Sequence, residues 1–391
     1  MDFAEFIAPM PADTFVADYL GRRPVQIRGA SPRSKLLSTP RLQELLSVRP
    51  HWTADNLKLI LNSRPVLGEH YLDEAHADRP KLADPRKVQL FLNMGASLVG
   101  DHVEEIDSSV RQAAAMLSEQ FAATTGANVY CSFEGIRAFA SHCDLHEVFA
   151  VQLEGEKTWQ IYENRADAPV EALDGPDAQA TIDRAKGPVM MTVQMQPGDL
   201  LYIPRGYFHD ALASTSASLH LTFGVAPLNG RYLFRLLEQE AIKSPKFRSY
   251  LPDGRGDRTQ LRAHLDELAE AIGGMMRSPL FETLLSNRQR ALVMREHPVD
   301  LHDRRNLDYY AATGQRAQVD WRPEGAFLRH QRGEEPLGAI GEPIEWALEQ
   351  QAFSREQLQT RYYWLSEDEA GRLIDLVTRA GLFVAYEPTL E

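Results

Sequence analysis

Three residues of this 391-residue chain could do metal chemistry together: His142 and Asp144, two positions apart, and the distant His209. In a β-strand, side chains at i and i+2 point to the same face, so a His and an Asp at that spacing can converge on one ion. A second His from a distant strand would complete a two-His, one-carboxylate set on one face of an octahedron. That set leaves coordination positions open, as in non-haem Fe(II) oxygenases and unlike closed structural zinc sites. Two ordinary polar strand residues give the same His-Cys-Asp tripeptide, so its weight comes from what surrounds it.

The flanking chain reads as short strands with defined breaks. Residues 147–154 form one strand, Glu154-Gly155 a turn, and residues from Lys157 to Tyr162 the next. Pro197-Gly198-Asp199 then precedes an apolar run, a Pro204-Arg-Gly break and His209. Proline presets φ and glycine takes the positive φ of a type II turn. Strands punctuated in this way predict a jelly-roll or cupin barrel.

Lys157 has the parity of Trp159 and Ile161, which puts it on the apolar face of its strand. A lysine turned into a barrel is costly unless it meets an anion. A carboxylate of the protein could supply one, or an edge position could let the ammonium reach water. The third possibility is a bound dicarboxylate. Beside an Fe(II) triad, 2-oxoglutarate meets that description: its ketone and adjacent carboxylate chelate iron, and its distal carboxylate needs a charge-assisted partner.

A set of motifs recurs in a familiar order: Arg23-Pro24-Val-Gln-Ile-Arg-Gly29, Asn128-Val-Tyr130-Cys-Ser132, Phe139-Ala140-Ser-His142-Cys-Asp144, Gln152-Leu-Glu-Gly-Glu-Lys157-Thr-Trp159, Pro197-Gly198-Asp199 through His209, and Ser218-Leu-His220-Leu-Thr222. Together they resemble the JmjC-type cupin hydroxylases, and among them the ribosomal oxygenases. The resemblance is close over most of the first 225 residues and looser beyond. It implies that His142, Asp144 and His209 hold Fe(II), with 2-oxoglutarate and O2 as cosubstrates. It implies that Lys157 pairs with the distal carboxylate of 2-oxoglutarate, a position that is Lys in the human members and Arg in the bacterial arginine hydroxylases. Asn128 and Tyr130 match positions lining the cosubstrate and substrate pocket, and Ser218 matches a small polar residue near the cosubstrate. The wet face of an amphipathic strand would also account for Asn128, Tyr130 and Ser132, best for Ser132 and less well for Tyr130. The chain departs from the family's pattern where Ser141 stands for the proline and Ala138 for the glycine that the family often has, where Cys143 separates the ligands, and where Tyr207-Phe208 replaces the usual Trp-rich pair. These residues flank the ligands without being ligands, and they leave the target side chain open.

Composition limits the alternatives. Cys131 and Cys143 are the two cysteines, which predicts a reducing compartment, taken as the cytoplasm, and no disulfide framework. No apolar run is long enough to span a bilayer, and the first residues lack the pattern of a signal peptide. A formal net charge of -13 argues against a broad nucleic-acid surface and suits a basic polypeptide partner such as a ribosomal protein.

The elements that must position the motifs follow from periodicity. Helical stretches are predicted at residues 40–46 and 52–60. Asp107 opens a helix with Val110, Ala113, Ala114, Leu117 and Phe121 on one face. Residues 163–186 are a polar insertion, read as a loop with a short helix, and barrel strands end near Gly224. Leu261, Leu265, Leu268 and Ile272 then repeat at 4-3-4 spacing, the seam of a paired helix. Packing within one subunit would give that stripe; the resemblance implies a homodimer. Ser354 with Gln357 and Ser366 with Glu369 make two capping boxes. Two short helices followed by residues 382–386 resemble a winged helix. From Gly341 onward, however, there are ten acidic residues against four arginines, so this module reads as a scaffold or protein contact rather than a DNA reader.

The sequence thus predicts a mixed α+β chain: a double-stranded β-helix (jelly-roll/cupin, JmjC type) over residues 1–225, a helical dimerisation region over 226–300, and a winged-helix-like module over 301–391. The expected activity is Fe(II)/2-oxoglutarate-dependent hydroxylation of an arginine or histidine side chain in a ribosomal protein. The rivals are a JmjC N-methyl demethylase and a non-catalytic cupin scaffold.

Overall fold

The computed structural model describes all residues except 30–31, 48–50, 62–63, 74–79, 134–139, 174, 214–216, 295–307 and 387–391. Ala138 and Phe139 therefore lie outside the described residues, as does the expected boundary near residue 300. The chain forms two compact units, Met1–Pro227 and Leu228–Glu391.

Among the described residues the first unit carries eleven strands: β1 (Val25–Ile27), β2 (Leu57–Leu61), β3 (Arg64–Pro65), β4 (Ser97–Gly100), β5 (Ala123–Phe133), β6 (Glu147–Glu154), β7 (Lys157–Arg165), β8 (Val189–Met195), β9 (Leu200–Ile203), β10 (Tyr207–Ala213) and β11 (Ala217–Pro227). Eight of them make one antiparallel sheet in the order β1-β9-β6-β11-β5-β4-β2-β3, and three make a second in the order β10-β7-β8. The two sheets share a core: Val148, Ala150, Leu201 and Ile203 of the first pack with Trp159, Ile161, Val193 and Met195 of the second. Gly155 and Gly198 take φ of 64° and 93°, the left-handed conformation that the two expected turns need.

The outer face of the large sheet is sealed by aromatic rings. Phe149 of β6 and Tyr202 of β9 meet Phe15 with centroids 5.8 and 4.8 Å apart, and Phe223 of β11 meets Phe6 at 5.9 Å. Phe6 and Phe15 come from helices Phe3–Ile7 and Ala12–Asp18. Buried Arg33 ties this layer together, its guanidinium donating to the carbonyls of Phe6, Ala8, Gly29 and Gly198.

The helix expected after Asp107 spans Ser108–Phe121, with Asp107 as its N-cap and Val110, Ala113, Ala114 and Leu117 buried. Helix Thr39–Leu46 forms where expected. Residues 52–60 do not form a helix. Asn56 accepts from the Thr53 amide to close a turn, and β2 follows with Leu57 and Leu59 buried and Lys58 exposed. Leucines at period 2 around an exposed lysine suit a strand, and pairing with β4 decides the matter.

In the second unit, helices Gly230–Ala241, Thr259–Met276 and Pro279–Arg290 are followed by two three-stranded sheets and helices Gly341–Leu348, Arg355–Arg361 and Glu367–Arg379. Both capping boxes are present, at Ser354 and Ser366. Leu373, Ile374 and Val377 are buried against Phe353, Leu358 and Phe383, and Gly381 ends the last helix with φ of 74°. No described helix is long and apolar enough to cross a membrane.

Candidate metal centre

His142, Asp144 and His209 each offer one ligand atom, and these atoms lie within 4.8 Å of one another. His209 sits on β10. Residues 142–144, expected as strand, belong to no ladder: His142 forms a single antiparallel bridge to His209. The backbone N–H of His142 donates to the His209 carbonyl (3.0 Å), and that of His209 donates to the His142 carbonyl (2.8 Å). Gly206 N–H also donates to the Asp144 carbonyl (3.0 Å). Extended backbone held at these points keeps the i, i+2 convergence without a continuous strand.

The imidazoles are oriented through their other nitrogens. His142 Nδ1 lies 2.9 Å from the Ala140 carbonyl and His209 Nδ1 lies 3.0 Å from the Tyr207 carbonyl. A carbonyl can only accept, so Nδ1 carries the proton and Nε2 keeps its lone pair for an ion. Nε2 of His209 lies 3.6 Å from Oδ2 of Asp144. Burial, and then the neighbouring His142, push the His209 pKa below its ordinary value. Burial pushes the Asp144 carboxyl up, but His209, His142 and His146 outweigh it and the net direction is down. Neutral imidazoles beside an ionised carboxylate are the protonation states that a divalent cation requires.

The triad opens into a cavity of about 330 Å³ between the two sheets, which Asn128, Tyr130 and Lys157 also line. The register of β11 builds its wall. His220 pairs with Tyr130 and Gln152, Thr222 with Asn128 and Ala150, and Gly224 with Gly126 and Val148. The His220 ring stacks on Tyr130 at 4.6 Å and 7°, and meets Trp159 edge-on. Asn128 hydrogen-bonds the Tyr130 hydroxyl, whose pKa is raised by burial and by the Asp144 carboxylate. A Cβ on Gly224 would stand 2.8 Å from the His146 ring, so glycine leaves room for His146, which lines the cavity beside it.

Lys157 lines the cavity, 4% exposed, with Trp159 and Ile161 buried on the same strand face. Its ammonium donates to Ser132 Oγ (3.2 Å). Among the described residues no carboxylate lies within ion-pair distance of it. Burial drives its pKa down to about 8, with only the Cys131 thiol opposing. Ser218 has the cavity-facing parity but lies past His220; it does not line the cavity, and its hydroxyl accepts from Gln152 Nε2 (2.9 Å).

Sequence reasoning missed the roles of Trp159, His220, Thr222 and Gln152. Each has one buried polar atom without a hydrogen-bond partner: Trp159 Nε1, His220 Nδ1, Thr222 Oγ1 and Gln152 Oε1. Buried polar atoms are otherwise nearly always satisfied. Trp159, His220 and Thr222 line the cavity with Lys157 and the His/Asp/His set, and their unpaired polar atoms fit a polar anionic cosubstrate chelating a metal.

Comparison with known proteins agrees with this geometry. Residues 99–233 match the family described as JmjC domain. The chain is similar to ribosomal oxygenase 1 of Homo sapiens, with 33% identity over 265 residues, covering 64% of this chain and 39% of the human protein. It is also similar to the bifunctional lysine-specific demethylase and histidyl-hydroxylase NO66 of Aedes aegypti, 30% identical over 230 residues, covering 58% of this chain and 35% of that one. The chain thus spans about two fifths or less of the length of these curated relatives. Among solved structures, the Escherichia coli ribosomal oxygenase YcfD in complex with cobalt and 2-oxoglutarate aligns with a TM-score of 0.50 at 15% identity, covering 96% of this chain and 98% of that one.

Proposed function

We propose that this chain is an Fe(II)- and 2-oxoglutarate-dependent protein hydroxylase, with His142, Asp144 and His209 as the iron ligands and Lys157 as the partner of the distal carboxylate of 2-oxoglutarate. The observation that carries this reading is Lys157: a buried ammonium that meets a hydroxyl and no carboxylate, in the same cavity as the triad. Bound together, iron, 2-oxoglutarate and O2 supply the chemistry, in which the cosubstrate leaves as succinate and CO2 and one oxygen atom enters a substrate C–H bond. The chain's own residues do the rest. The Ala140 and Tyr207 carbonyls fix the ligand tautomers, and Lys157 orients the dicarboxylate. Trp159, His220 and Thr222 offer their unpaired polar atoms to it, with Tyr130 and the sheet walls keeping bulk water out.

The proposed substrate is an arginine or histidine side chain of a ribosomal protein, encountered in the cytoplasm. The names of the similar proteins support this choice, and so does the acidic balance of the chain. Incubating the protein with Fe(II), 2-oxoglutarate and ribosomal proteins from cells lacking it tests the reading. The expected outcome is succinate formation and a substrate mass gain of one oxygen. Loss of a methyl group would instead mark a demethylase, an activity named for the Aedes relative. No cosubstrate consumption under any condition would leave the non-catalytic scaffold. Replacing Lys157 with Ala should raise KM for 2-oxoglutarate by roughly two to three orders of magnitude, since breaking a buried charge pair costs about 3–5 kcal/mol. Lys157→Arg should retain part of the affinity.

We further propose a homodimer through helix Thr259–Met276 of a helical region over residues 226–300, with the winged-helix-like module over residues 301–391 serving protein contact. The helix buries none of its residues, and Leu265 and Ile272 are 49% and 37% exposed in the single chain. Glutamates at Leu265 and Leu268 would put unpaired charges into an apolar seam. The double variant should run as a folded monomer in light scattering; a monomeric wild type at micromolar concentration would overturn the dimer.

A further inference from the structure

A second polar cluster lies on the opposite side of the metal-binding segments from the cavity. Asp210, next to His209, is 2% exposed, and Ser141, next to His142, is 3% exposed. Ser141 Oγ donates to Asp210 Oδ2 (2.7 Å), and the Tyr162 hydroxyl donates to the same oxygen (2.7 Å). Lys186 Nζ donates to Ser141 Oγ (2.9 Å), pairs with Asp183 (2.8 Å) and lies over the Tyr162 ring at 4.6 Å. Lys186 caps the helix Ala178–Ala185 in the polar insertion between β7 and β8. From that helix Ile182 packs with Tyr162, Phe208 and Cys143, and Gln179 donates to the Ser141 carbonyl (3.3 Å).

We infer that Ser141, Asp210, Tyr162 and Lys186 form a brace that positions His142 against His209, where the family that this chain resembles often has a proline in the place of Ser141. Proline stiffens a chain by locking φ. Serine lacks that lock, and the segment 142–144 has no ladder to hold it beyond one bridge. The brace supplies the missing constraint from behind. It spans the ligand segment, the His209 strand and β7, and the insertion helix closes it. Serine and aspartate are needed as a pair, because a proline at 141 would leave the buried Asp210 carboxylate without one of its hydroxyl donors. This inference rests on the metal-site reading above, and it assigns these four residues as positioning residues.

Cobalt(II) binding tests it without turnover. Ser141→Ala removes one oxygen atom and should weaken cobalt(II) affinity by about 10- to 100-fold, the range typical of groups that orient metal ligands. The visible absorption of bound cobalt(II) should change with it, since the geometry of the ligand set is what the brace fixes. Tyr162→Phe removes the other donor to Asp210 but leaves the Ser141 link, and should cost less. Should Ser141→Ala fail to fold, Lys186→Met decides: this partly exposed change should weaken cobalt(II) about two- to five-fold. A lowered Tm with wild-type cobalt(II) affinity and spectrum in these variants would overturn the brace as a positioning device. A wild-type protein that binds no cobalt(II) would instead overturn the metal centre itself.

Discussion

The strands of the large sheet serve two unlike regions on their two faces. Along β11, Leu219, Leu221, Phe223 and Val225 are each at most 2% exposed, and Phe223 meets Phe6 in the aromatic layer. The alternate residues His220, Thr222 and Gly224 line the cavity with Asn128 and Tyr130. The aromatic face is held mainly by the burial of these apolar side chains. The cavity face holds unpaired polar atoms and an unpaired ammonium, each of which costs stability in the absence of a ligand. One face gains folding free energy and the other gives some of it up to keep a site in readiness.

The sharpest way to break this comparison is at the triad. Asp144→Ala should abolish 2-oxoglutarate turnover, because two imidazoles cannot hold Fe(II) in a facial geometry. The fold should survive, since Asp144 anchors its segment through its backbone carbonyl rather than its side chain. Circular dichroism and Tm close to wild type, with succinate production at background, are the expected results. Wild-type-like turnover would remove the assignment.

The opposite face should respond in the opposite sense. Phe149→Ala empties the ring position that meets Phe6, Phe15, Phe121 and Tyr202. Truncating such a residue typically costs about 3–5 kcal/mol. Denaturant unfolding should record that loss, while cobalt(II) affinity in the folded fraction should stay within two- to three-fold of wild type. A large loss of metal affinity here would mean that the two faces are not separable.

The sequence was informative where chemistry is local and mute where it depends on pairing. His142, Asp144 and His209 could be read from residue type, spacing and the turns around them, and Lys157 from its parity with Trp159. The capping boxes at Ser354 and Ser366 were legible because a cap acts over three residues. His220 and Thr222 were not, because only the register of β11 against β5 and β6 brings them to the cavity. The same register leaves Ser218 beyond the wall, in spite of its parity. Residues 52–60 misled because Leu57, Ile60 and Leu61 also fit helical spacing, and strand pairing overrode that signal. The Ser141–Asp210 link joins residues far apart in the chain, and no local pattern announces it.

The last and smallest effect separates the cost of the cavity face from its use. Lys157 is the cation whose burial penalty the cosubstrate should relieve. Its pKa in the free protein is lowered from 10.5 to about 8 by burial. A cation whose folded-state pKa lies below its unfolded value destabilises the fold below both pKa values, and the penalty fades as pH rises from the folded pKa towards the unfolded one. Lys157→Met should therefore stabilise the ligand-free protein at pH 7, by roughly 1–3 kcal/mol. The gain should shrink between pH 8 and pH 10. Cosubstrate affinity has the reverse dependence, because 2-oxoglutarate needs the protonated amine. Its Kd, measured calorimetrically with a redox-inert divalent ion in the site, should be flat below about pH 8 and rise up to about tenfold per pH unit above it. The Met variant should bind weakly at every pH with no such break. A wild-type Kd that stays flat through pH 9 would assign the carboxylate to another cation, and a Met variant less stable than wild type would mean that Lys157 is held for the fold rather than for a ligand.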